Sequence, residues 1–392
     1  MKTWKIPLLL SYISVASSSC AIITPAFPEI ENTWHVSDAQ VANLVSVFLI
    51  GYFIGQLVYG PIANRFGRLF ALRAGLILNL FGIIFSIIAV GHHAFNILVL
   101  ARGVTALGAA SGLSCTFMLL NESLDSARAK SVLSFAGISF TAAVGFAVYI
   151  GGLVTHYWDW IDCFWVLLAY GGLLLGLTWV FDETLKTKKS IHPASIYRSY
   201  LHAFRNPRLL AYSFLIGSVG MISYTNSVAA PLISHGLLNL SAAEYGSWFL
   251  LNSISMVVGS FIASYWLKKM SADQILKIAV IAMLVLTVVL AILFGVFRMH
   301  NAFCFFFLTA GLFLLSSIVY PAAGHIASNA IEDKPSASSA MNFIAVLVSV
   351  LSVWVMGLLP FPMFWSFIFV AIVYFAIVRF WHAKISLKTL EK

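Results

Sequence analysis

The sequence predicts an all-α integral membrane protein with twelve transmembrane helices arranged as two pseudo-symmetric six-helix bundles. Three observations predict it: an apolar composition, the regular spacing of long apolar runs, and the segregation of basic residues to one side of them. Of the 392 residues 61% are hydrophobic and only 9% are charged, and mean hydropathy is +0.95. No water-soluble core of this size needs such a balance, so the solvent is lipid. A span needs roughly 20 apolar residues and a connection about 10, which allows about twelve or thirteen spans in this length. Helices, not barrel strands, are expected, because runs such as Ile275 to Phe297 are apolar on every face instead of alternating.

Taken in order, the spans are expected at about 6–27, 41–60, 74–91, 96–118, 131–154, 161–181, 209–233, 245–267, 275–297, 302–328, 339–358 and 363–381. Lys2 and Lys5 ahead of an apolar stretch ending at Thr24 have the outline of a signal peptide. Another apolar run follows within about 20 residues and many more come after it, so the first segment reads as a retained span. With both termini cytoplasmic, every Lys and Arg of the 23 except Arg298 and Arg102 falls on the inner side. That segregation sets the orientation, and it accounts for the net charge of +9 without a nucleic-acid partner.

The longest polar stretch, Asp182 to Arg208, divides the chain into a bundle at 1–181, a cytoplasmic linker at 182–208 and a second bundle at 209–392. Within the linker, Ile196 to Phe204 (IYRSYLHAF) reads as a short amphipathic helix at the lipid surface. The four cysteines, Cys20, Cys115, Cys163 and Cys304, stand singly in or beside apolar runs, without the spacing of a disulfide framework or a metal site. No metal or cofactor is expected. The chain also lacks H-E-x-x-H, G-x-S-x-G, a P-loop and a carboxylate pair within a span, so an enzyme is not expected.

Certain motifs are more specific. Gly60-Pro61-Ile62-Ala63-Asn64-Arg65-Phe66-Gly67-Arg68 follows the second span. It resembles the loop between helices two and three of the major facilitator superfamily, G-x-x-x-D-R-x-G-R, with Asn64 in place of the usual Asp. Leu98-Val99-Leu100-Ala101-Arg102 with Gly108-Ala109-Ala110 is similar to the superfamily's R-x-x-x-G-x-G element in helix four. Trp160-Ile161-Asp162-Cys163-Phe164-Trp165 and Asp182-Glu183-Thr184-Leu185 resemble the twelve-span drug/proton antiporter branch, in particular its bicyclomycin-resistance (Bcr/CflA) subfamily. That branch normally ends helix five in G-P-x-x-G-G, whereas this chain has Ala147-Val148-Tyr149-Ile150-Gly151-Gly152.

The resemblance implies a proton-coupled secondary transporter, a monomer in the inner membrane, exporting a small drug-like or metabolite-like solute such as a siderophore. The alternative is a facilitator or importer of a small organic anion without proton coupling. Gly60, Asn64, Arg65, Gly67 and Arg68 would form its conformational latch. The subfamily's first-helix coupling acid would fall at Ala21, so the expected acid is missing. Arg102, Glu122, Glu29 and His325 are the remaining candidates for proton coupling. Arg102 stands out physically, because a guanidinium inside hydrocarbon must find water or acceptors. Glu29 and Glu31 are expected at a solvated outer mouth, and Glu122 has Arg128 or Lys130 as candidate partners. Substrate contacts are expected from polar and aromatic residues of helices one, four, seven, eight and ten, namely Tyr12, Ser18, Arg102, Ser114, Tyr224, Asn226, Asn252 and Tyr320.

Overall fold

A computed structural model describes residues 4–125, 132, 136–185, 205–331 and 334–390. Every regular element among them is helical. Helix α1 (Lys5–Ala21) leads through a 3-10 turn (Thr24–Ala26) into α2 (Phe27–Trp34); then come α3 (Asp38–Phe66), α4 (Arg68–Gly91), α5 (Phe95–Ser123), α6 (Ala136–Tyr157) and α7 (Asp162–Leu177). The remaining helices are α8 (Pro207–Gly236), α9 (Ala242–Trp266), α10 (Ala272–Leu290), α11 (Ala302–Ser328), α12 (Lys334–Leu358) and α13 (Met363–Leu390).

Polar residues at the boundaries explain where several helices begin. Ser37 and Ser271 each form a reciprocal box with a glutamine three residues on, Gln40 and Gln274, satisfying N–H groups that the first turn leaves open. Asn206 accepts from the Leu209 N–H, with Pro207 at the first helical position, and Asn301 accepts from the Cys304 N–H. Within the expected first span the regular α-helix ends at Ala21, and the 3-10 turn carries the chain on into α2. Pro25 has no N–H with which to bond back to the Ala21 carbonyl, and the Thr24 hydroxyl donates to that carbonyl instead, at 2.8 Å. Glu29 and Glu31 therefore lie on a helix, α2, and not in an open loop. The stretch Ile196 to Phe204 lies outside the described residues, as do Arg128 and Lys130.

Eleven helices among the described residues are long and apolar enough to cross a membrane. Helix α8, expected as the seventh span, is 30 residues long, roughly 45 Å at 1.5 Å per residue. Its Ser213, Ser218, Thr225 and Asn226 lower its hydropathy and are all buried. Large apolar side chains point outward around the helices, among them Phe81, Leu100, Phe146, Phe307 and Phe380. Such a surface has lipid for its solvent.

The chain divides into two compact units, Met1–Ile191 with Leu240–Ser247, and His192–Asn239 with Trp248–Lys392. In the first, α5 packs against α1, α3 and α4, and α4 packs against α7. The approach of α3 to α5 is close enough that a Cβ at Gly51 would stand 2.1 Å from the Gly103 carbonyl oxygen, so only glycine fits. In the second, α8 packs against α11, α12 and α13, and α10 against α11 and α13.

Candidate functional site

Inside the first unit the outstanding feature is Arg102 on α5, whose side chain is fully buried. Its Nη2 donates to the Cys20 carbonyl, near the end of α1, at 3.4 Å, and its guanidinium lies 4.7 Å from the centre of the Phe48 ring on α3. Nε and Nη1 have no hydrogen-bond partner among the described residues. A carbonyl at the end of a helix and an aromatic face each offer partial negative charge. Neither matches the charge of a guanidinium, and leaving one so poorly paired in a dry site costs several kcal/mol. No Asp or Glu appears among the buried described residues, where the charged side chains are Arg68 and Arg102. Ala21, where an acid could have met Arg102, is buried beside Cys20.

Of the other residues expected here, Tyr12 is buried and donates to the Leu174 carbonyl at 3.0 Å, which ties α1 to α7. Ser18 and Ser114 are half-buried.

The second unit holds two amides of the same unsatisfied kind. Asn252 on α9 is buried; its Oδ1 accepts from the Thr309 hydroxyl on α11 at 3.1 Å, while its Nδ2 has no partner among the described residues. Asn226 on α8 is also buried with an unpartnered Nδ2. Buried donors without acceptors are uncommon in folded proteins and call for an explanation such as a ligand or water. Tyr224 is half-buried, Tyr320 is 48% exposed, and His325 is exposed near the end of α11.

A different chemistry occupies the end of the first unit where α3 meets α4. Arg68 directs Nη2 to Glu122 Oε1 at 2.7 Å and Nε to both oxygens of Glu122 at 3.2 and 3.3 Å. Its Nη1 donates to Asn64 Oδ1 at 2.8 Å. Among the described residues Glu122 thus meets Arg68, 54 positions back along the chain. Asn64 keeps its place in the network as a neutral acceptor, and Glu122 supplies the negative charge. The Thr184 hydroxyl also reaches Glu122 Oε2 at 2.5 Å.

Glu183 completes the cluster by capping α4 from outside, accepting the Arg68 and Leu69 N–H groups at 2.9 and 3.0 Å. Two open N–H groups and the positive end of α4 thereby gain a carboxylate. Partial burial raises this carboxyl's pKa, but the N–H groups of Leu185, Arg68, Leu69 and Thr184 outweigh it and hold the group below the usual carboxylate value. The reach is possible because Gly67, between α3 and α4, has φ +120°, and a Cβ there would lie 2.4 Å from Glu183 Oε2. Arg65 lies at the end of α3 beside the Phe66 ring, 5.5 Å away, and Gly60 has open space where a Cβ would stand. Sequence reasoning missed Glu183 and Thr184 as members of this cluster. The run Asp182-Glu183-Thr184-Leu185 was the available signal.

Comparison with known proteins follows the same lines. The chain is 26% identical over 262 residues to the bicyclomycin resistance protein homolog of Haemophilus influenzae, covering 65% of this chain and 64% of that one. It is 25% identical over 339 residues to the multidrug resistance protein MdtL of Shewanella oneidensis, covering 85% and 83% of the two chains. Among solved structures, a D-xylose-proton symporter superposes with a TM-score of 0.76 at 13% identity, covering 96% of this chain and 97% of that chain. A bacterial homolog of the human lysosomal transporter Spinster, in an inward-facing and occupied conformation, gives 0.77 at 12% identity, covering 99% and 97%. These two likenesses concern the fold. With the Major Facilitator Superfamily model matching residues 9–353, helices α1 to α12 in outline, the chain belongs to that superfamily of membrane transporters and is not an enzyme.

Proposed function

We propose that the chain exports a small drug-like or metabolite-like solute, of the siderophore kind among others, by alternating access across the cytoplasmic membrane. In this reading it works as a monomer with both termini inside, and the bundles at 1–181 and 209–392 turn about the linker at 182–208. The multidrug and bicyclomycin resistance of the relatives' names supports export. One observation carries the reading furthest: Arg102 is fully buried with Nε and Nη1 unpartnered, and no carboxylate is buried among the described residues. A solute with an anionic or strongly accepting group would satisfy it.

Proton coupling would draw on Arg102, Glu122, Glu29 and His325. Glu122 is engaged by Arg68, and Glu29 and His325 are exposed. Ala21 therefore favours a second reading, in which the chain equilibrates a small organic anion without protons. Proteoliposomes decide between them when loaded with an organic anion such as fluorescein or a cation such as ethidium and given an imposed pH gradient. Anion flux that follows the gradient and is lost in Arg102→Ala is the expected result. Anion flux indifferent to the gradient selects the second reading, and ethidium flux undiminished in Arg102→Ala overturns both.

A further inference from the structure

A buried guanidinium needs both acceptors and a countercharge, and the two buried arginines of the first unit differ in how far that need is met. Arg68 has both, in the Glu122 carboxylate at 2.7 Å and the Asn64 amide oxygen at 2.8 Å. Arg102, the more deeply buried of the two, has a single bond, from Nη2 to the Cys20 carbonyl at 3.4 Å. A charge-assisted N–H···O bond is about 2.7–2.9 Å long, so even this contact is a weak one. Nε carries one N–H and Nη1 two, and neither atom has a partner among the described residues. The Phe48 ring, 4.7 Å from the guanidinium, adds attraction but no net charge.

Charge, valence and size define what completes the site. Water would accept the open N–H groups but leave the positive charge uncompensated, and an isolated buried ion costs far more than an unpaired neutral donor. The occupant is therefore an anion. It is monovalent, because Arg68, the other charged side chain buried among the described residues, is already taken by Glu122, and a dianion would bring a second charge with nothing to meet it. It is also small. Cys20, Ala21, Phe48 and Ala101 beside Arg102 are all buried, and the Thr105 hydroxyl, one turn on, is turned away to the Ala101 carbonyl at 2.8 Å. A spherical ion has no tail to be accommodated among them, and chloride is the halide that biological media supply.

We propose that Arg102 holds a chloride ion as its countercharge, bound through the N–H groups of Nε and Nη1, and that an organic anion reaches Arg102 by displacing it. This rests on the reading of Arg102 as the anion-binding group of the transport cycle. It adds a regulation of that group: chloride and solute compete for one guanidinium, so chloride raises the KM for an organic anion and leaves kcat unchanged.

Retention of radiolabelled chloride by the full-length protein in detergent, with gluconate as the balancing anion and no solute present, tests the proposal. Saturable retention is expected, emptied by bromide and untouched by gluconate or sulfate at equal ionic strength. Arg102→Gln is expected to lower retention about tenfold or more, the weight of a hydrogen bond to a charged group. Wild-type crystals grown in bromide decide the question even if that variant does not fold, with an anomalous bromine peak expected within hydrogen-bond reach of Nε or Nη1. Absence of saturable retention by the wild type, full retention by folded Arg102→Gln, or a bromine peak only away from Arg102 overturns the proposal. The transport reading fails separately: a chain that retains chloride at Arg102 but carries no fluorescein defeats that reading alone, whereas one that carries fluorescein through Arg102 and retains no chloride defeats only this inference.

Discussion

Arg68 and Glu122 join α4 to α5 through a forked contact in which Nη2 and Nε of the arginine share the carboxylate, 2.7 Å at the shortest. The arginine side chain is 8% exposed and the glutamate 33%. The guanidinium is buried, so removing Glu122 strands its charge, whereas the carboxylate of Glu122 keeps contact with water when Arg68 is removed. Arg68→Ala and Glu122→Ala should each lower the unfolding midpoint and transport. A double-mutant cycle should return a coupling of about 0.5–3 kcal/mol. Additive losses would mean that the contact contributes little.

Gly67 separates α3 from α4 with φ +120° and ψ 154°, a conformation that L side chains rarely adopt. Gly67→Ala is expected to destabilise by about 1–3 kcal/mol from backbone strain alone. It should also push Glu183 off the N-terminus of α4, as thermal unfolding of the pair Gly67→Ala and Glu183→Gln would reveal through less-than-additive effects.

The backbone donors around Glu183 predict a pH dependence. Its carboxyl has a folded-state pKa below the ordinary value of 4.5. A depressed pKa means that the stabilisation is fully present above the unfolded value and is lost as pH falls through the folded one. Unfolding midpoints measured from neutral pH downward should hold until about pH 4.5 and then decline, with Glu183→Gln showing a shallower decline below that point. Parallel curves for the two proteins would remove Glu183 from the acid response.

Asn252 offers a way to separate stability from function. Its Nδ2 is already buried without a partner, a state that costs about 1–3 kcal/mol, and Thr309 keeps a second acceptor in the Phe306 carbonyl. Asn252→Leu is therefore expected to keep or raise the unfolding midpoint while slowing transport of a polar solute. A lowered midpoint with full transport would make the amide structural.

How far the sequence reveals all this depends on the range of the interactions. Helix positions are legible because the hydrophobic requirement of a span is local, and Arg102 is legible as an interior charge because it sits within an apolar run. The partners of Arg68 are not. Glu122 is 54 positions away and Glu183 another 61 beyond it, and their meeting depends on the rotation of α5 about its axis and on where α7 ends. From sequence, Asn64 reads as a lost charge, and only the packed helices reveal that Glu122 supplies it. The end of α1 is a similar case. Pro25 announces a break, but that the Thr24 hydroxyl would take up the Ala21 carbonyl is a matter of geometry.

The serines, threonine and asparagine along α8 also bear on how the chain is made. Ser213, Ser218, Thr225 and Asn226 are sheltered by a unit in which α8 packs against α11, α12 and α13, and the ribosome produces all three after α8. A segment carrying these groups enters lipid at a higher cost than one of aliphatic residues alone. Packing by α11, α12 and α13 removes that cost only once these helices have been made, so the last part of the polypeptide completes the burial of polar groups laid down in the seventh span.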